Sequence, residues 1–185
     1  MSLEGNGAGR PQTLDELRIL LTEQRSAETL DPEEVLAARE MRRLRGELSA
    51  ALGELYSCAE CGRGHLLPEG RWDGGKCCSD PAAEHFDPET LAQLRAAGTE
   101  ATDLVGPCDA RAGCFMRGPK GCAIPREHRP NACVGYLCEA LRRELAARGN
   151  LQDIQEKRYA LAAAERRFVA LRAARELSEA MAKAL

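Results

Sequence analysis

The chain has 185 residues, which is enough for one domain with helical arms, and its net charge is -3. This charge balance gives no general basis for binding nucleic acid or an anionic membrane, so neither partner is expected. No stretch approaches the ~20 consecutive apolar residues of a membrane span. Residues 1–12 are Gly-rich without an apolar segment, so we expect a disordered lead-in, no signal peptide and a cytoplasmic protein.

Residues 13–57 are predicted to form a helical hairpin. The sequence Thr13-Leu-Asp-Glu16 has the form of a capping box, and leucines follow it at spacings of three and four. A second helix start follows at Asp31-Pro32, where an N-cap residue precedes a proline at the first helical position. The second helix carries a short heptad seam, which consists of Ala37, Met41, Leu44, Leu48, Ala51 and Leu55.

Residues 58–138 are predicted to be an irregular, cysteine-rich metal-binding domain. Glycines and prolines are frequent in residues 58–86, which indicates loops and a short β-ribbon. Asp87-Pro88-Glu89 repeats the chemistry of a helix start, and this helix should end near Gly98. Pro130 is interpreted as the first position of a further helix that runs through Cys133 and Leu137 to Gly149.

A final helix is predicted from about Leu151 to the end of the chain. Residues 139–185 are therefore expected to be helical and to pack on residues 13–57 as an antiparallel bundle. One side of the final helix is apolar and comprises Leu161, Ala164, Phe168, Leu171, Leu177 and Met181. The predicted fold class is mostly α, with an irregular cysteine-rich core flanked by long helices that form a bundle or coiled-coil-like arm.

All nine cysteines lie between Cys58 and Cys138. Clustered thiols in a reducing compartment usually bind metal or do redox chemistry, and an odd number argues against a complete disulfide framework. Cys58-Ala-Glu-Cys61-Gly has the form of a metal knuckle, in which two thiolates grip one ion and a glycine allows the chain to turn. Eight cysteines are predicted to be metal ligands: Cys58, Cys61, Cys77, Cys78, Cys108, Cys114, Cys122 and Cys133.

Two pairs of cysteines need separate interpretation. Adjacent side chains in extended backbone point to opposite faces, so Cys77 and Cys78 favour two nearby metals, although one of them could instead be a buried structural thiol. On one continuous helix, Cys133 and Cys138 would lie about 140° apart around the axis. They could not easily reach the same ion, and Cys138 is therefore predicted not to be a ligand. Cys108 follows a Gly-Pro turn, and its alternative is a free thiol.

The second half of the cysteine-rich region resembles the zinc- or iron-chelating domain family (YkgJ-like). The matching segments are Cys114-Phe115-Met116, Gly121-Cys122-Ala123-Ile124 and Glu127-His128-Arg129-Pro130-Asn131-Ala132-Cys133. The family also has a CxxC and a CC close together upstream, whereas residues 62–76 separate these motifs here, and Pro125 stands where the family usually has Tyr. The resemblance covers roughly residues 58–138 and implies metal or cluster binding. One branch resembles flagellin lysine N-methylases, whose cysteines are thought to hold an iron–sulfur cluster.

The histidines and the tryptophan receive secondary roles. His65 could ligate zinc but is interpreted as a loop residue, and His85 as a surface residue. His128 and Arg129 are predicted to be donors that orient loop carbonyls or stabilise thiolates. Trp72 is predicted to anchor the loop between the knuckle and the next cysteines.

The sequence leaves two functional hypotheses open. The first is a binding module in which metal folds the cysteine-rich domain and the helical arms bind a protein partner or another copy. The second is an iron–sulfur enzyme related to the methylase branch. Thiolate-rich sites suit both zinc and iron–sulfur clusters, and zinc is slightly favoured for the knuckle.

Overall fold

The structure is a computed structural model, and it describes residues 13–23, 31–56, 65–66, 72–73, 85–104, 114, 116–118, 121–122 and 124–184. Most of these residues are helical, which confirms the mostly α class. The α-helices are α1 (Leu14–Glu23), α2 (Pro32–Leu52), α3 (Pro88–Ala96), α4 (Asn131–Gly135), α5 (Glu139–Ala147) and α6 (Leu151–Lys183). Ala101–Asp103 and Arg126–His128 form single 3-10 turns. No helix within the described ranges is long and apolar enough to cross a membrane.

Two short antiparallel ladders accompany the helices. β1 (His65–Leu66) pairs with β2 (Trp72–Asp73), and this is the ribbon predicted in residues 58–86. β3 (Arg117–Gly118) pairs with β4 (Gly121–Cys122), with the Cα of Arg117 opposite that of Cys122. Each strand has only two residues, so the ladders are hairpin turns rather than a sheet that could support a core.

The helix starts predicted from the sequence are confirmed. The Thr13 hydroxyl accepts a hydrogen bond from the backbone N–H of Glu16 at 3.1 Å. The Asp31 carboxylate accepts from the N–H groups two and three residues further on, at 2.8 and 3.2 Å. The Asp87 carboxylate accepts from the N–H three residues further on at 2.7 Å. These oxygens satisfy N–H groups that have no partner inside the first helical turn.

The predicted end of α3 near Gly98 is also confirmed. Gly98 has φ of 82°, in the left-handed region that favours glycine. Its N–H donates to the carbonyl of Arg95, and the N–H of Thr99 donates to the carbonyl of Leu94, both at 2.9 Å. This turn places Thr99 at the end of α3, where it reaches the residues of the candidate site.

Helices α2 and α6 run antiparallel along each other, as predicted. The predicted apolar side of α6 is wrong at its end, because Leu177 and Met181 are exposed and Leu177 lies about 160° from Leu161 around the axis. The Asn150 side-chain amide, just before α6, donates to the carbonyl of Ala51 at the end of α2. Further along α6, Arg175 forms an ion pair of 2.6 Å with the buried Glu34 at the start of α2. The residues buried around this pair form a cluster that we call the helical core: Ala37, Ala38, Met41, Leu44, Leu48, Ala92, Ala96, Ala97, Val134, Leu137, Leu141, Leu145, Ile154, Leu161 and Phe168.

Helix α1 packs elsewhere, which corrects the expectation of a helical hairpin with α2. Its buried leucines belong to a second cluster, which we call the small core: Leu17, Leu21, Phe86, Leu91, Leu94, Leu104, Cys114, Met116 and Ile124. The Arg18 guanidinium also donates to the carbonyl of Leu104 at 3.2 and 2.6 Å. The reason is that α1 buries its leucines against the large apolar side chains around α3, while the seam of α2 is covered by α6.

The helix predicted from Pro130 to Gly149 is interrupted, which is a second correction. α4 ends at Gly135, and Tyr136 and Cys138 have extended backbone before α5 begins at Glu139. Two arginine side chains bind carbonyls freed by the break: Arg158 donates to Gly135 at 2.5 Å and Arg142 to Leu137 at 3.2 Å. Side-chain donors therefore replace the helical hydrogen bonds that a continuous helix would have made.

Candidate metal centre

Three of the eight predicted metal ligands, Cys114, Cys122 and Cys133, belong to the described part of the chain. The other five lie outside the described residues: Cys58, Cys61, Cys77, Cys78 and Cys108. Among the residues that the structure describes, no group of three or more His, Cys, Asp or Glu side chains is arranged to hold a metal ion. The described cysteines alone therefore do not make a complete site.

Cys114 and Cys122 share the small core. Cys114 is buried with 7% of its surface exposed, and Cys122 is half-buried and packs against the same cluster. Cys122 lies on β4, so its position is fixed by the pairing with β3. The fold thus brings two predicted ligands, eight residues apart in sequence, to one apolar cluster.

Arg129 has the kind of contact predicted for it. Its Nε donates to the carbonyl of Ile124 at 2.7 Å, and its Nη2 donates to the carbonyl of Cys122 at 3.2 Å. A guanidinium presents several N–H donors in a fixed plane, so it can hold two carbonyls at once. Arg129 therefore fixes the backbone at Cys122 on β4 and at Ile124 just after it.

Among the described residues, His128 contacts a guanidinium and a hydroxyl rather than the loop carbonyls or thiolates that the prediction named. Its Nε2 lies 3.3 Å from Nη2 of Arg42, which can only donate, so this ring nitrogen is the acceptor. Its Nδ1 then carries the proton and donates to the Thr99 hydroxyl at 3.0 Å, with Asp103 3.7 Å away. Burial lowers the pKa of His128, and Arg42 adds to this while Asp103 opposes it. His128 is thus a neutral link between α2 and the end of α3.

Asn131 makes a second link from the same segment to the helices. Its Oδ1 accepts from Nη1 of Arg45 at 3.1 Å, and its Nδ2 donates to Gln93 on α3 at 3.4 Å. Arg45 is fully buried, and its Nε and Nη2 have no hydrogen-bond partner among the described residues. Burial lowers the pKa of Arg45 to about 10, with Arg42 acting in the same direction.

The role of Arg45 was missed by sequence reasoning, although a signal was present. Arg45 lies four residues after Met41 and three before Leu48, which places it in the middle of the apolar face of α2. A charged side chain in that position is rarely fully buried without a polar partner from another element. The pattern would have predicted such a partner, without identifying it as Asn131.

Cys133 and Cys138 have different surroundings. Cys133 is half-buried in α4, and its N–H donates to the carbonyl of Pro130 at 3.0 Å. Cys138 stands just before α5 and packs against the helical core. The argument from a 140° offset on one helix fails because the helix is broken between the two residues. The exclusion of Cys138 as a ligand stays a prediction that helix geometry no longer supports.

Comparisons of this chain with protein-family models, with curated proteins and with solved structures gave no match.

Proposed function

We propose that this chain is a metal-binding protein that holds zinc or iron on cysteine thiolates and acts as a metal-folded binding module. One observation carries the proposal: eight cysteines occur between Cys58 and Cys133, in a knuckle, an adjacent pair and the segments that resemble the chelating-domain family. Thiolates are soft ligands that suit zinc and iron–sulfur clusters. The proposed setting is the reducing cytoplasm, where such thiols stay free.

The surroundings of the described cysteines support this proposal. Cys114 and Cys122 lie in one small core, and Arg129 holds the backbone of Cys122 by its carbonyl. Hydrogen bonds of this kind around a ligand commonly orient it for metal binding. When bound, the metal would join ligand segments that are distant in sequence and contribute free energy of folding.

The helical arms are proposed to provide the interaction role. Helix α6 is longer than α2, and its last turns carry the exposed side chains of Leu177 and Met181. Exposed apolar side chains at the end of a long helix are suited to binding a protein partner or another copy of the chain.

The test is to purify the protein anaerobically and to measure the metal bound per chain together with its visible spectrum. Colourless protein with zinc supports the module, whereas iron with sulfide and absorption near ~400 nm supports the alternative of an iron–sulfur enzyme related to flagellin lysine N-methylase. Protein that binds neither metal, with all nine thiols reduced and reactive, would refute both.

Cysteine replacements test the ligand assignment. We expect Cys122→Ser and Cys133→Ser each to lose at least one metal per chain, because a serine hydroxyl is a poor ligand for zinc or iron. Cys138→Ser is the matched control and should retain full occupancy. If Cys138→Ser loses as much metal as Cys133→Ser, the assignment of these two residues is wrong.

A further inference from the structure

Helix α6 has a second apolar face opposite the one that packs on α2. Tyr159, Phe168 and Leu177 are nine residues apart in sequence, which is about two and a half helical turns. Phe168 is fully buried in the helical core, while Tyr159 and Leu177 are 75% and 64% exposed. Tyr159 and Leu177 therefore lie on the same side of α6, and that side faces away from α2.

This outer stripe runs along most of the helix. It contains the exposed apolar residues Tyr159, Ala163, Ala170, Ala173, Leu177 and Met181, and the exposed Arg166 interrupts it between Ala163 and Ala170. A surface helix with one buried face normally shows charged and polar side chains on the opposite side. A mostly apolar stripe there is suited to contact with another protein surface.

We infer that the outer stripe pairs with the same stripe of a second copy of this chain, in antiparallel orientation. A two-fold symmetric contact uses one patch twice, and the alanines in its middle let two helices approach closely. This inference rests on the interaction role in the proposed function and is independent of the metal.

Charge selects the antiparallel orientation over the parallel one. Arg166 lies on the stripe between Ala163 and Ala170, is exposed and forms no ion pair with another described residue. In a parallel pair, Arg166 would face its own copy, and like charges repel. In an antiparallel pair with Ala170 beside Ala173 of the second copy, Arg166 comes within one residue of Glu176 of the second copy.

The carboxylate of Glu176 already pairs with Arg172 and would be shared between two guanidinium groups in this contact. It is 56% exposed and lies 3.0 Å from the Arg172 guanidinium on the same helix. Arg166 lies about 20° and Glu176 about 100° to the same side of the line through Tyr159 and Leu177, so two-fold symmetry forms the pair twice. Glu176 of the second copy thus supplies a carboxylate to Arg166. Among the described residues of its own chain, Arg166 has no anionic partner.

The first test is the mass of the full chain in solution, measured by sedimentation equilibrium. We expect the wild-type protein to be a dimer and Ala170→Glu to be monomeric, because a carboxylate would be placed between two closely packed helices. Ala160→Glu is the matched control, since Ala160 is exposed on the same helix about 100° from Leu177 around the axis. This control should remain a dimer.

Charge reversal tests the orientation. Arg166→Glu and Glu176→Arg should each weaken the dimer about tenfold, and the double variant should restore it, because the pair is re-formed with its signs exchanged. In a parallel dimer the double variant would not recover. Circular dichroism verifies that each variant remains helical.

A wild-type monomer, an Ala170→Glu dimer, capture of a different protein on the stripe without self-association, or failure of the double variant to recover would each overturn the inference. Bound metal measured on the same samples separates it from the proposed function. A monomer that still binds metal would refute only the pairing of the outer stripe. A dimer that binds no metal would refute only the proposed metal site.

Discussion

Neighbouring side chains in residues 126–131 point to different parts of the molecule. Arg126 donates to the carbonyl of Ser49 on α2 at 2.8 Å, and His128 and Asn131 contact Arg42 and Arg45 on the same helix. Arg129 alone among them turns toward the backbone of Cys122. The segment therefore joins the cysteine-bearing hairpin to the helices.

Replacing Arg129 with Lys should destabilise the protein by about 1–3 kcal/mol. A single ammonium group cannot match the planar fork that holds the carbonyls of Ile124 and Cys122, so one of them loses its charged donor. The measurement is urea unfolding. Arg126→Lys is the matched control, because only one carbonyl contact is at stake there, and it should shift the midpoint less. Equal shifts in both variants would contradict the role given to Arg129.

His128 should make stability depend on pH below neutrality. Burial and Arg42 hold its pKa in the folded protein below the ordinary value of 6.5, so the unfolded chain binds the proton more readily. The stabilising contribution is then complete above pH 6.5 and is lost as the pH falls toward and through the lower folded pKa. Nearby Asp103 and Glu127 oppose the shift without reversing it.

The variant His128→Gln isolates this effect. Its unfolding free energy should decline less than that of the wild type between pH 7 and pH 5, measured by urea unfolding at each pH. Curves that stay parallel over this range would mean that His128 does not gain a proton on unfolding.

At the level of elements, capping chemistry and periodicity predicted the helix starts and the α2–α6 pair. Asp31 and Asp87 bind the N–H groups of their own first turns, so their effect is local and readable from sequence. The position of α1 was not predictable in this way, because its leucines can cover either apolar surface. The break after Gly135 was missed because it depends on Arg158, a donor more than twenty residues further along the chain.

The contacts of the candidate site show the same difference between local partners, which could be predicted, and distant partners, which could not. Arg129 was predicted from its place in a motif, and its partners are only five and seven residues away. His128 and Asn131 have partners on α2, more than eighty residues earlier. Their other partners, Thr99 and Gln93, are 29 and 38 residues earlier, at the end of α3 and within it. Contacts of that sequence separation depend on how the helices pack, and no local pattern specifies them.

Helix α6 offers a direct comparison between its two apolar faces. Phe168→Ala should cost about 3–5 kcal/mol, because Phe168 is fully buried in the helical core. Leu177→Ala should change the unfolding free energy of the single chain by no more than about 0.5 kcal/mol, because its side chain is 64% exposed. Thermal or urea unfolding at a concentration where the chain is monomeric gives both values. Similar costs would contradict the described packing of α6.

At the scale of the whole molecule, two cores share one helix. Ala92 and Ala96 of α3 belong to the helical core, while Leu91 and Leu94 belong to the small core. The helical core is built from five helices, whereas the small core is built from α1, one side of α3 and short irregular segments that include Cys114 and Cys122. A core of that size usually needs a disulfide, a metal or another covering element to persist.

Removing the metal should therefore loosen the small core and leave the helical core in place. We expect a strong chelator to increase amide hydrogen exchange in α1 and around Phe86, because the thiolates of Cys114 and Cys122 would no longer be joined to the other ligands. Amides of α2 and α6 should keep their protection, since the helical core that they share contains none of the eight proposed ligands among its described residues. The measurement is hydrogen exchange by mass spectrometry, with metal re-addition as the control.

Unchanged exchange in α1 would contradict metal-dependent folding. Equal loss of protection in α6 would mean that the metal maintains the helical core as well, against the division into two cores.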